Sequence, residues 1–275
     1  MGWRKGAPQG AFFVYARYLS LFPVREYNAS MKSKGRVLVV GGSKEYAGAP
    51  YLAGMAALRS GAESVIVMAP EKVAWALNAL SPDLMTRKLP GRYLSRAHRA
   101  AILKQLKTAD VLVLGNGAGV RPGTAALMLS LMRWPGLKVI DADAVKVLRG
   151  SGIENAILTP NEGEWATLVK QSDVRALLKK NVIVRKGART RVLGNRISFA
   201  IKAHPGLRKA GTGDVLAGLI AGFLARGLSP FAAAKTACER GNRLAAALAK
   251  RARGYDYLAS DLVNELKKTS DEGKE

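Results

Sequence analysis

A three-layer α/β/α fold around a central, mostly parallel sheet is predicted for this chain by two observations. From Arg36 onward, short runs of β-branched residues alternate with Ala- and Leu-rich stretches of helical length. That alternation is what remains when helices cover both faces of a parallel sheet. The second is size: 275 residues, 48% of them hydrophobic, suffice to bury a full core, and no break after residue 36 argues for more than one domain.

The strands expected are Val37–Val40, Ser64–Met68, Val111–Leu114, Val139–Ile140, Ala156–Leu158 and Val182–Val184, each a compact apolar run bounded by turn residues. Between them the apolar spacing predicts helices over Tyr51–Ser60, Glu71–Leu80, Ser95–Leu106, Gly123–Met132 and Glu162–Lys170, with two longer ones beginning near Thr212 and Pro230. From Arg191 to Ile201, two short runs flank Gly194 and Asn195, a pair suited to the positive φ angles of a tight hairpin turn. The polar tail from Lys267 to Glu275 is expected to fray.

Lys and Arg number 44 against 20 acidic residues, for a formal charge of +24. Such a field attracts polyanions. The basic residues are nevertheless scattered, with no aromatic-interleaved cluster or recognised nucleic-acid module, so a nucleic-acid-binding role is not the reading favoured. Cys238 stands alone in an Ala-rich stretch, which reads as a buried thiol in a reducing, cytoplasmic setting. The apolar stretch from Gly10 to Val24 is interrupted by Arg17 and too short to span a bilayer. It reads as an amphipathic docking arm over residues 1–34, ahead of a domain at 35–275, with no membrane partner.

The strongest chemical signal is AGTGDVLAG at 210–218, where small residues run into an amphipathic helix and leave backbone N–H groups at its start. Gly211 and Gly213 allow close approach to a phosphate, and Thr212 adds a hydroxyl donor. Asp214, in the first helical turn, is either a cap stabilised by the helix dipole or a base that accepts the proton of an attacking hydroxyl. Two glycine-rich segments follow strands: GGSKEYAGAP at 41–50 and LGNGAG at 114–119. Either serves as a plain strand–helix loop or as the lining of a pocket at the carboxyl end of the sheet. In LTPNEGEW at 158–165, Asn161 and Glu164 form an N-x-x-E pattern, either a helix cap or oxygen ligands suited to hydrated Mg²⁺. Asp141 and Asp143 end a strand in IDADAV, and Lys186 in VRKGA lies just past another, within reach of a nucleotide phosphate. His98 and His204 have no neighbouring cysteine or second histidine to suggest a transition-metal site.

Taken in order, GRVLVVGGSKEYAGAPYLAGMAALRSGA at 35–62, LGNGAG, DADAV at 141–145, LTPNEGEW, KGA at 186–188 and AGTGDVLAG make this chain resemble the NAD(P)H-hydrate dehydratase family, over most of its length. The resemblance implies a ribokinase-like fold and ATP- or ADP-dependent repair of (S)-NAD(P)H hydrate, with Mg²⁺ as cofactor. Phosphorylation of the ring hydroxyl and loss of phosphate restore the dinucleotide. Carried over by the resemblance, Asp214 deprotonates the hydroxyl while Gly211, Thr212 and Gly213 stabilise the transferring phosphoryl group. It also assigns Lys186, Asn161, Gly241 and Asn242 to the nucleotide, Glu164 and Asn161 to the metal, and Gly48, Ala49, Gly117 and Asp143 to the hydrate pocket. A homotetramer and a separate NAD(P)H-hydrate epimerase are further implications. A small-molecule kinase of the same fold, acting on a vitamin precursor or sugar, shares the anion hole, the aspartate and the N-x-x-E pattern. The glycine-rich entry at 41–50 and the Ala-rich helix after it favour the dehydratase.

Overall fold

The computed structural model describes residues 35–266, which fall in one compact unit; the predicted arm and the polar tail lie outside them. Nine strands form one sheet in the order β3-β2-β1-β4-β5-β6-β7-β8-β9. They are β1 (Arg36–Val40), β2 (Ser64–Pro70), β3 (Met85–Leu89), β4 (Val111–Leu114), β5 (Leu137–Ile140), β6 (Ala156–Leu158), β7 (Val182–Arg185), β8 (Arg189–Gly194) and β9 (Ile197–Lys202). All pairings through β7 are parallel, and β7–β8 and β8–β9 are antiparallel.

Among the described residues ten α-helices connect and cover the strands: α1 (Gly48–Arg59), α2 (Glu71–Leu80), α3 (Arg99–Leu106), α4 (Pro122–Met132), α5 (Asp143–Val147), α6 (Glu162–Gln171), α7 (Val174–Leu178), α8 (Thr212–Ala225), α9 (Pro230–Ala252) and α10 (Ala259–Glu265). The period-two alternation of β1 divides the core in two. Val37 and Val39 join the cluster beneath α1, α2, α8, α9 and α10, while Leu38 and Val40 join the one beneath α3 to α7. Both faces of the parallel strands are thereby covered, and the ribokinase-like three-layer expectation agrees with this architecture.

The packing of α8 on α1 fixes where the AGTGD turn falls. A Cβ on Gly218 would stand 2.2 Å from the carbonyl oxygen of Ala53, so only glycine lets the two helix backbones meet there.

Three sequence expectations need correction. The edge strand β3, MTRKL, was not foreseen, because its side chains are mostly exposed and carry no apolar run. The hairpin forms, but Gly194 pairs with Ile197 as part of the ladder. The turn is therefore Asn195–Arg196, and the positive φ belongs to Arg196 at 60°. Short α5, α7 and α10 also lie where no helix was expected, each too brief for a periodic signal.

Candidate active site

Because β1, β4, β5, β6 and β7 are adjacent and parallel, the residues following their carboxyl ends share one rim of the sheet. Asp141 is the centre of that row, with only 1% of its surface exposed. Its Oδ1 accepts hydrogen bonds from Lys186 Nζ at 2.8 Å and Thr159 Oγ1 at 2.6 Å, and its Oδ2 accepts one from Asn116 Nδ2 at 3.0 Å. A buried carboxylate is tolerable here because donors from three different strand ends surround it. Burial works against the Lys186 ammonium, but Asp141, Glu164 and Asp214 outweigh it and hold its pKa above the ordinary lysine range.

Asn116 links this row to the turn before α8. The same Nδ2 donates to Asp214 Oδ1 at 2.7 Å. Asp214 is thus held in the first turn of α8 and is only partly exposed. Burial, followed by the nearby charge of Asp141, pushes its pKa up to about 7, against the opposing pull of Asn116 and Lys186. A carboxyl poised near neutrality can take a proton and give it up again.

Gly211 caps α8 with φ of 84°, a left-handed conformation open to glycine at little cost. The Thr212 N–H reaches Lys209 O at 3.3 Å. Among the described residues, the N–H groups of Gly213 and Asp214 meet no acceptor. Two free donors at a helix N-terminus make an anion site, and Lys186 Nζ stands 3.1 Å from where a Cβ on Gly213 would lie. The role expected of the Thr212 hydroxyl is corrected here. Its Oγ1 lies 2.6 Å from Leu207 O and 2.8 Å from Lys209 O, so its one hydrogen is committed to tightening the turn.

A cavity of about 490 Å³ opens on one side of this anion site, lined among others by Lys186, Gly213, Asn161, Gly241, Asn242 and Leu207. All four residues expected at the nucleotide are therefore brought together. Asn242 does not offer its side chain to the cavity, since Nδ2 donates to Lys202 O and Oδ1 accepts from His204 N–H. It pins the end of β9 to α9. Gly241 leaves open the wall facing Leu207, whose Cδ1 is 4.0 Å from the position of an added Cβ. Cys238 is buried on the same wall, and burial, reinforced by Glu239, pushes its thiol up to about 12, so it is not a nucleophile.

The other expected set lies among the loops after β1, β4 and β5. A Cβ on Gly117 would stand 3.1 Å from that of Ala49, so the two glycine-rich segments touch, and Gly48 opens α1 beside them. Asp143, expected along the hydrate pocket, accepts through Oδ2 from Gly119 N–H at 2.8 Å and through Oδ1 from Lys146 Nζ at 2.8 Å. It shapes the loop that would line a ligand.

Asn161 and Glu164 form a capping box at the start of α6. Glu164 N–H donates to Asn161 Oδ1 and Asn161 N–H to Glu164 Oε2, both at 2.9 Å. Asn161 Oδ1 gives one of its two lone pairs to the cap and keeps the other for a further donor or cation. Among the described residues no group of three His, Cys, Asp or Glu is gathered to hold a metal ion. Mg²⁺ does not require one, because it keeps most of its waters and leans on one or two carboxylates plus phosphate. Glu164 fits that sparse role: it is buried, its Oε1 is unpaired among the described residues, and burial raises its pKa against the opposing pull of Lys186 and the Asn161 N–H.

Sequence reasoning singled out neither Asn116 nor Thr159 as site residues, and left Asp141 open between ligand and cap. The one signal for Asn116 was a polar residue enclosed by glycines directly after a buried strand.

Fold and site together define a ribokinase-like α/β/α protein with free backbone donors, a carboxylate and a cavity of about 490 Å³ at the carboxyl rim of its sheet. The model of the NAD(P)H-hydrate dehydratase family matches residues 37–268, and the chain belongs to that family. It is 36% identical over 259 residues to the bifunctional NAD(P)H-hydrate repair enzyme Nnr of Pyrobaculum aerophilum, covering 88% of this chain and 52% of that protein. The Methanothermobacter thermautotrophicus protein of the same name is 33% identical over 288 residues, covering 97% and 55%. This chain thus spans about half the length of these relatives. Among solved structures, an ADP/ATP-dependent NAD(P)H-hydrate dehydratase from Bacillus subtilis, co-crystallised with ATP and Mg²⁺, superposes with a TM-score of 0.74 at 23% identity, covering 88% of this chain and 92% of that one. Hydroxyethylthiazole kinase from Pyrococcus horikoshii gives 0.56 at 15% identity, covering 86% and 88%. At those identities the likeness concerns the fold.

Proposed function

We propose that this chain is a carbon–oxygen lyase that dehydrates (S)-NAD(P)H hydrate at the expense of ATP or ADP. The observation that carries the reading is the position of Asp214: one residue after Gly213 in the anion site, and one hydrogen bond from Asn116 in the LGNGAG loop that borders the Gly48–Ala49 segment. The nucleotide lies in the cavity with its terminal phosphate at the free N–H groups of Gly213 and Asp214 and beside Lys186. The hydrate lies against Gly48, Ala49 and Gly117.

Asp214 takes the proton of the ring hydroxyl as that oxygen attacks phosphorus, and the bond from phosphorus to the leaving nucleotide oxygen breaks. The N–H donors and Lys186 hold the charge that gathers on the phosphoryl oxygens. The ring nitrogen's lone pair then expels the phosphate, leaving an iminium that loses a ring proton to restore the reduced nicotinamide. Mg²⁺, when bound, adds neutralisation of the phosphates, held beside Glu164.

Mixing the protein, Mg²⁺ and hydrated NADH or NADPH with ATP and ADP in parallel tests the reading. Recovery of the reduced nicotinamide absorbance with either nucleotide supports it. No recovery, with nucleotide consumed in the presence of a vitamin precursor or sugar, replaces it by a kinase of the same fold.

The domain at 35–275 with an arm at 1–34, a homotetrameric assembly, a cytoplasmic setting and an NAD(P)H-hydrate epimerase as the companion activity belong to the same proposal. No described helix is long and apolar enough to cross a membrane. A monomeric mass in light scattering removes the tetramer.

A further inference from the structure

Asn116 is fully enclosed in the site, with 0% of its surface exposed. Its amide nitrogen is shared between two carboxylates from different parts of the fold, Asp141 Oδ2 at 3.0 Å and Asp214 Oδ1 at 2.7 Å. Only the N–H₂ end of an amide can face two carboxylates, so chemistry fixes the orientation. Its Oδ1 is buried and has no hydrogen-bond partner among the described residues. An unpaired buried oxygen carries an uncompensated desolvation cost, and an apolar residue in this glycine-flanked loop would not incur it. The amide stays because of what its nitrogen does.

We infer that Asn116 is a positioning residue that couples the Lys186–Asp141 ion pair to Asp214, holding the Asp214 carboxylate in its reactive orientation and in its deprotonated form. The inference rests on the proposed role of Asp214 as base. With Oδ1 occupied by Asn116, Oδ2 of Asp214 has no protein donor among the described residues and is the oxygen available to a hydroxyl. The groups bearing on Asp214 come from several elements: Asp141 at the end of β5 and Asp143 at the start of α5 repel its charge, while Lys186 after β7 and the Asn116 donor favour it. Asn116 is the neutral member of that set, so removing it shifts the balance toward the protonated carboxyl.

The test reads both activity and the carboxyl itself. In Asn116→Ala, the acid limb of kcat/KM moves upward by about one pH unit. In Asn116→Asp, where a third carboxyl joins Asp141 and Asp214, it moves further. Carbon-13 NMR of aspartate-labelled protein, with the Asp214 signal assigned by its loss in Asp214→Asn, shows the same displacement without turnover. In the wild-type protein the Asn116 side-chain N–H₂ resonances follow the Asp214 midpoint, a measurement that survives if a variant fails to fold. An unmoved acid limb and an unmoved carboxyl signal in folded Asn116→Ala, or Asn116 resonances indifferent to pH across roughly pH 5 to 9, overturn the coupling. Absent hydrate-dependent turnover in the wild type would instead retire the proposed reaction, while the NMR titrations still decide the coupling.

Discussion

Lys186 Nζ lies 2.8 Å from Asp141 Oδ1 while standing 3.1 Å from the place where a Cβ on Gly213 would be. One ammonium thus balances a buried carboxylate on the sheet and borders the anion site on α8. The proposed phosphate contact and the pairing of a buried carboxylate meet in a single side chain.

Lys186→Met is therefore expected to fail twice. Removing one partner of a buried ion pair strands the other, which costs about 3–5 kcal/mol. Chemical denaturation checks this, and kinetics at the highest soluble nucleotide concentration check the loss of affinity. Adding Asp141→Asn to Lys186→Met restores most of the stability and none of the nucleotide affinity. Equal recovery of both contradicts the assigned role.

Asp214 gives opposite signs for stability and activity. Its folded pKa, about 7, lies above the ordinary aspartate value of 3.8. Folding is thus favoured by the protonated form, and this stabilisation is fully present below the unfolded pKa and lost as pH rises through 7. Asp214→Asn should consequently melt at a higher temperature than the wild type near pH 8, the difference shrinking in acid, while turnover falls by about 10²–10⁴-fold. Thermal melts across pH, paired with the turnover assay, check both.

The capping box separates Asn161 from Glu164. Asn161→Ala loses the acceptor for Glu164 N–H, at a cost of about 1 kcal/mol in urea denaturation, with little change in the Mg²⁺ dependence of turnover. Glu164→Gln keeps a side-chain oxygen for the Asn161 N–H and raises the Mg²⁺ concentration needed for half-maximal rate. If Asn161→Ala alters the Mg²⁺ requirement as strongly as Glu164→Gln, the division of roles is wrong.

Lys138, in β5, supplies a prediction remote from the chemistry. It is fully buried, bonds through Nζ to the Glu154 carbonyl, and burial lowers its pKa to about 8, opposed by Glu154. A folded pKa below the unfolded one makes the stabilising contribution greatest at high pH, and it is lost as pH falls through 8. Lys138→Met should therefore stabilise most at or below neutrality, the gain fading between pH 8 and about 10.4. Melting temperatures of the two proteins over that range check it.

The parallel core was legible in the sequence because its strands, such as VLVV and VLVL, are buried on both faces and read as unbroken apolar runs. The edge strand MTRKL was not, since burial and apolar patterning weaken together at a sheet edge. In the site, the AGTGD turn was readable as a candidate anion site because its small residues run into a helix start, while Asp214 taken alone read equally as a cap. What pattern could not supply was connectivity between distant segments. Asn116 is 98 positions from Asp214, and nothing local marks one amide as serving two carboxylates. The same limit explains Thr212, whose hydroxyl read as a phosphate donor and is spent on backbone carbonyls, and Asp143, whose partners Gly119 and Lys146 no local pattern named.

The most direct test of the account is the stoichiometry of one reaction mixture. Hydrated NADH, Mg²⁺ and the preferred nucleotide are incubated with the wild-type protein or with Asp214→Asn, and reduced dinucleotide, cleaved nucleotide and inorganic phosphate are all quantified. The account predicts equimolar formation of the three with the wild type and near-complete loss of all three with the variant. Nucleotide cleavage that proceeds without recovery of the reduced ring, or full activity in the folded variant, would contradict it.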